Sequence, residues 1–208
     1  MLIRWNRRMY STICKNQNAI INAIPQKDVL EYESLLQQVG QANTSKYQQR
    51  YKTFWQMHPA QLGSSFYQTY FNLLNMTKPL PTLRNICQTL HPHSTRLNGT
   101  QTLQFSFATK LRHMLKPQLP IYDVRVARFF LFQDPSTQWP LRQRINGLIV
   151  FHNFLIREYA RVIGSGQLAS AIDAFRQQLN SQRHGNVKII DWLIWKFVEL
   201  ADSGQINW

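Results

Sequence analysis

Apolar residues recur along this chain at intervals of three and four, the spacing of one face of a helix. Val29, Leu30, Tyr32, Leu35, Leu36 and Val39 mark a helix over 26–39, with acids in its first turn and Gly40 as its stop. Tyr47, Tyr51, Phe54 and Trp55 line one side of a second, over 46–57, and such an aromatic stripe is core. Pro59 opens a third, in which Leu62, Phe66, Tyr70 and Leu73 recur by threes and fours. Leu83, Ile86, Cys87 and Leu90 give a short helix after Pro79 and Pro81. Phe107, Ala108, Leu111, Met114 and Leu115 form the face of the next, which Pro117 and Pro120 terminate. Asp123 stands where an N-cap belongs, directly before Val124, Val126, Ala127, Phe129 and Phe130. A long helix over 141–163 carries Ile145, Leu148, Ile149, Phe151, His152, Leu155, Tyr159 and Val162 on a wide apolar face. His152 on that face reads as a core histidine. Beyond Gly164-Ser165-Gly166, helices follow over 168–179 and 187–200, the last with Ile189, Ile190, Leu193, Ile194 and Phe197, and with Lys188 and Asp191 in its first turn. No stretch alternates like a strand and none repeats. The pattern predicts an all-α fold.

Between the periodic segments lie few connections. Residues 1–25 read as a basic arm closed by Pro25, in which Arg4, Arg7 and Arg8 interleave with Trp5 as stacking on nucleic acid would need. A packed N-terminal tail is the other possibility. Residues 26–208 read as one helical domain, or two helical lobes sharing a core. Ser94 to Gln104, S-T-R-L-N-G-T-Q-T-L-Q, reads as a hairpin that turns at Asn98-Gly99. Small polar residues there can offer backbone amides to phosphates. The hairpin and the two helices after it, 94–130, form the central stretch.

Charge narrows the choice of partner. The chain carries 24 Lys+Arg against 10 Asp+Glu, a net +14, which points to a polyanion. Its distribution is sharper than its total. No carboxylate side chain occurs between Glu33 and Asp123, where Lys46, Arg50, Lys52, Lys78, Arg84, Arg96, Lys110, Arg112 and Lys116 all fall. Two cysteines, Cys14 and Cys87, are too few for a disulfide framework. No signal-peptide pattern and no run near 18 apolar residues occurs, so the expectation is a cytoplasmic protein with no membrane partner.

Two residues of the central stretch can carry chemistry. Lys110 lies at the edge of an apolar face, one turn from Phe107 and Met114, where partial desolvation makes an amine a better nucleophile. Asp123 has backbone N–H groups and a helix dipole to hold its charge. Taken singly, Lys110 reads as a snorkelling surface lysine and Asp123 as a simple cap. Cys87, His91, His93 and His113 invite a zinc site, but C-x3-H-x-H fits no standard structural pattern, and no metal or other cofactor is expected. A metal-dependent nuclease is disfavoured because no paired carboxylates lie near the basic region.

At these residues the chain resembles the helix-hairpin-helix DNA glycosylases. The order T-K, an apolar helix, then P-I-Y-D-V-R-V looks like the lysine-to-aspartate segment of 8-oxoguanine DNA glycosylases, which reads T-K-V, a proline-containing turn, then P-V-D-x-x-V. F-S-F-A-T-K-L…P-x-L-P-I-Y-D and the late K-I-I-D-W-L-I-W resemble bacterial proteins assigned to that glycosylase fold. The likeness covers 97–132 and 187–195. Two features depart from it: the Lys110–Asp123 spacing is shorter, and L-N-G-T-Q-T-L-Q-F-S replaces the glycine-rich L-P-G-V-G type hairpin.

The resemblance implies a two-lobed helical bundle and a monomeric DNA-repair glycosylase and AP lyase. Its partner would be duplex DNA with a damaged base flipped out, an oxidised purine of the 8-oxoguanine kind. Lys110 would attack the sugar C1′ and form a Schiff base, and Asp123 would steady the developing positive sugar. Arg96, Asn98, Gly99, Thr100, Gln101, Thr102, Arg125 and Arg128 are candidates for holding DNA, with Trp192 and Trp195 as positional guesses for walls of a base pocket. The alternative is a non-enzymatic basic helical protein that keeps this fold and binds nucleic acid or a partner. The acid-free segment and the basic arm should make duplex binding fall steeply with salt through counterion release. Fluorescence anisotropy across a salt series checks this, and binding that is absent at low salt or indifferent to salt removes the nucleic-acid assignment.

Overall fold

The computed structural model describes residues 2–76 and 79–208, with side chains from Arg7 onward. Lys78 of the acid-free segment, and the side chains of Arg4 and Trp5, lie outside the described residues. Among those described the fold is all-α. The helices are α1 Leu2–Lys15, α2 Gln17–Asn22, α3 Gln26–Gln37, α4 Ser45–Phe54, α5 Ser64–Asn75, α6 Leu83–Leu90, α7 Phe105–Leu115, α8 Val124–Phe129, α9 Leu141–Gly164, α10 Ala169–Gln178 and α11 Asn186–Asp202. Among the described residues, only the isolated bridges Leu62–Arg96 and Thr95–Gln101 pair as strands would.

The chain forms two compact units: a first of 1–29, 118–134 and 151–208, and a second of 30–117 and 135–150. The first is built on α11, whose Ile189, Ile190, Leu193, Ile194, Phe197 and Val198 are buried. It packs against α8, α2 and α10. Phe129 of α8 meets Tyr10 of α1 and Phe197 of α11, with ring centroids 5.5 and 5.9 Å away. Residues 2–25, read from sequence as an arm, are thus two helices, and they bury Met9, Tyr10, Ile13, Ile20, Ile21 and Ile24. Burial of those six side chains is what holds them down.

The second unit has an aromatic core threaded by hydroxyls. The Tyr70 hydroxyl donates to the Phe107 carbonyl (3.1 Å), so in its 2.8 Å contact with Tyr51 the Tyr51 hydroxyl is the donor. One relay therefore ties α4 to α5 and α5 to α7. Burial raises the pKa of both phenols, which stay protonated donors. Tyr47 donates to the Leu35 carbonyl (3.1 Å), and Tyr32 shares a 2.7 Å bond with His113 on α7. Helix α5 starts at Ser64 rather than Pro59. Pro59 sits instead in a single 3-10 turn, and Gln61, at φ +51°, breaks the path before Leu62 pairs with Arg96.

The direction of the relay makes its links unequal. Tyr51→Phe ends the chain and leaves Tyr70 bonded to Phe107. Tyr70→Phe strands the buried Tyr51 hydroxyl as well, so it should cost about 1–3 kcal/mol in urea unfolding and exceed the Tyr51→Phe loss. Equal losses would refute the donor order.

Candidate active site

Lys110 is carried by α7 in the second unit, where Phe105, Phe107, Ala108, Leu111 and Met114 are buried as the spacing requires. Its side chain is half-buried. Nζ donates to the Trp55 carbonyl at 3.4 Å and lies 5.5 Å from the Trp55 ring centroid and 5.1 Å from that of Phe107. The ammonium is thus held against an aromatic wall. Arg112, two residues on, has its guanidinium pKa lowered by burial.

The segment before α7 is a tight hairpin. Arg96 N bonds Thr100 O, Gly99 N bonds Arg96 O, and Thr100 N bonds Asn98 Oδ1, all at 2.9–3.0 Å, with Gly99 at φ +81°. Leu97 N is taken by Gln61 O and Thr102 N by Ser94 O. These five amides are spent inside the protein. A phosphate could reach those five only by displacing these partners. What it presents outward is side chains: Arg96, Asn98, Thr100 and Gln101 are exposed, and Thr102 is half-buried.

Asp123 belongs to the first unit and caps α8, accepting from Arg125 N at 2.9 Å. The connection that delivers it is buried at Leu119, Ile121 and Tyr122 and is held by side chains. The Asp191 carboxyl accepts from Ile121 N (3.2 Å) and from the Tyr159 hydroxyl (2.8 Å). His152 Nε2 donates to Pro120 O (2.9 Å), and the Tyr122 hydroxyl donates to Asp134. Asp191 is only 4% exposed. Its burial pushes the carboxyl up to about 7, against the pull of the Lys188 ammonium and of its two hydrogen bonds. The sequence signal for Asp191 was a lone carboxylate inside an apolar run, I-I-D-W-L-I; read from sequence as a first-turn acid, it lies beyond the first turn of α11, which begins at Asn186 and holds no acid there.

The remaining candidates divide. Arg125 pairs with Glu199 (3.2 Å) and lies over the Trp195 ring at 4.0 Å, where Lys196 also stacks. Arg128 pairs with Asp202 (2.8 Å) and lies over Trp208. Each arginine therefore meets a carboxylate of its own unit. Trp192 is buried, stacked on Phe175 (5.4 Å) and covered by Lys188 at 4.5 Å, so it is a core residue rather than an open pocket wall. Trp195 is half-buried under its two cations. Cys87 is buried, its thiol pushed up to about 12 by desolvation, and His113 is engaged with Tyr32. Among the described residues no three His, Cys, Asp or Glu side chains gather to hold a metal ion, and no helix is long and apolar enough to cross a membrane.

The two units differ in charge. Glu31 and Glu33 are the only carboxylate side chains of the second, against the nine bases of the acid-free segment plus Arg142 and Arg144. Arg50 takes Glu31 at 2.9 Å, while Lys46, Arg96 and Lys116 are exposed. No family model, no curated protein and no solved structure matches this chain.

Asp191 makes a pH prediction. A carboxyl whose folded pKa is about 7, against an ordinary 3.8, keeps its proton in the native state between those values. Its contribution to stability is full below about pH 3.8 and lost as pH rises through 7. Urea unfolding of wild type should weaken across that window relative to Asp191→Asn, whose own profile is flatter. Parallel profiles would show that Asp191 does not titrate there.

Proposed function

We propose that this protein is a DNA glycosylase with AP-lyase activity that excises an oxidised purine. The observation that carries it is the T-K…P-I-Y-D order, realised as a lysine held on an aromatic wall and an aspartate at a helix N-cap. The excess of cations around Lys110 supports a polyanionic substrate. In the reaction the Lys110 ammonium first loses a proton to solvent, and the amine then gives its lone pair to C1′ of the sugar. The glycosidic bond breaks, and its electron pair leaves with the base, which takes up a proton. Ring opening then yields a Schiff base, from which β-elimination cleaves the 3′ phosphate ester. Asp123 supplies negative charge as the sugar becomes positive.

A second reading is a non-enzymatic nucleic-acid-binding protein. The same contacts of Lys110 with Trp55 and Phe107 favour it, since a purely structural lysine would make them.

Borohydride trapping on a labelled duplex containing 8-oxoguanine separates the two. Wild type should trap. Lys110→Ala should not, while salt-dependent duplex binding survives. Asp123→Asn keeps the cap and removes the charge, so base release should slow roughly 10²-fold. Asp123→Ala is less clean, because losing the cap costs about 1 kcal/mol by itself. Equal trapping by all three removes Lys110 as nucleophile, and no trapping on any damaged base tried puts the binding protein first.

A further inference from the structure

Pro120 O and Ile121 N are the two poles of one peptide unit, and each is held by a buried side chain from a different helix. His152 of α9 donates to the carbonyl at 2.9 Å, and Asp191 of α11 accepts from the amide at 3.2 Å. A carbonyl only accepts, so His152 carries its hydrogen on Nε2. Tyr159, two turns beyond His152 on α9, orients the Asp191 carboxyl through its other oxygen at 2.8 Å. With its carbonyl and amide both fixed, the peptide plane cannot rotate without breaking a buried hydrogen bond. Two residues later the chain reaches Asp123.

We propose that Asp191 and His152 are positioning residues for Asp123, clamping the Pro120–Ile121 peptide so that the carboxylate keeps the cap geometry from which it acts. Packing alone does not explain Asp191. A carboxyl 4% exposed, beside a Lys188 that is 5% exposed, costs desolvation that an apolar residue on α11 would avoid. What it supplies in return is a fixed bond to a backbone amide 70 residues away. In its catalytic consequence the proposal rests on the glycosylase function above.

Amide hydrogen exchange of the intact chain tests the clamp without chemistry. Arg125 N bonds only to Asp123 Oδ1 in the first turn of α8, so its exchange reports the cap. In Asp191→Leu, which has no acceptor, the Ile121 and Arg125 amides should exchange roughly tenfold faster, the size of one lost hydrogen bond, while Leu193 and Phe197 on α11 hold; Asp191→Asn, which keeps an acceptor oxygen, should leave both rates near wild type. His152→Leu should speed Arg125 likewise, and His152→Gln, which restores a donor, should bring it back. Borohydride trapping should fall in step with the Arg125 rate while duplex affinity stays. An unchanged Arg125 rate, or acceleration of all amides alike, overturns the clamp. Wild type that never traps removes the glycosylase function alone, and Arg125 exchange still decides the positioning role.

Discussion

The peptide between Pro120 and Ile121 sets the terms for the first unit. A proline-bounded connection has neither helix nor ladder to satisfy its backbone, yet this one is buried at Leu119, Ile121 and Tyr122. Its polar atoms must then be met by side chains reaching in from elsewhere. His152 and Tyr159 share one face of α9, and Asp191 stands on α11, the helix with the largest buried face. Placing a carboxyl there is expensive, and the expense is offset only where its acceptor oxygens meet donors in fixed positions. The core of this unit is therefore not a uniform apolar interior. It is an apolar interior built around one satisfied backbone unit.

The second unit solves the same problem with tyrosines. Tyr51, Tyr70 and the Phe107 carbonyl form a chain with a single donor direction, so α7 is fixed relative to α4 and α5 by hydrogen bonds as well as by ring packing. Phe107 is both the end of that relay and one of the two rings beneath the Lys110 ammonium. The position of the lysine is thus set by groups three helices deep, and a change at Tyr70 is felt one turn from Nζ.

Helix existence was legible in the sequence because spacing of apolar residues is local information. Helices α6, α7, α9 and α11 lie where Leu83–Leu90, Phe107–Met114, Ile145–Val162 and Ile189–Phe197 place them. Whether residues 1–25 form an arm or a packed tail was not legible, because Arg, Asn and Gln crowd around Met9, Tyr10 and Ile13, and around Ile20, Ile21 and Ile24, hiding two short apolar faces in a basic background. Asp123 as a cap was legible from residue type and position alone. The bond from Asp191 to Ile121 was not, since no periodicity links residues so far apart. Nor was the state of the hairpin: Asn98-Gly99 announces a turn but does not say that Gln61 and Ser94 take the amides.

That last point changes how a polyanion would be met. With five of the hairpin amides occupied, more of any contact would fall to side chains, and the arginines are not equivalent. Arg125 and Arg128 are each balanced by a carboxylate of α11, and a phosphate would have to displace Glu199 or Asp202 to reach them. Arg96 and Lys116 are exposed in a unit whose two carboxylates are Glu31 and Glu33, one of them already bound by Arg50. Exposed cations without nearby counter-charges release the most counterions on binding. Any electrostatic capture of a polyanion would therefore fall to the unit that carries Lys110, while the arginines of α8 hold α8 to α11. The same pairing keeps the helix that Asp123 caps in place, so charge in the first unit is spent on geometry, while the second carries cations in excess of its two carboxylates.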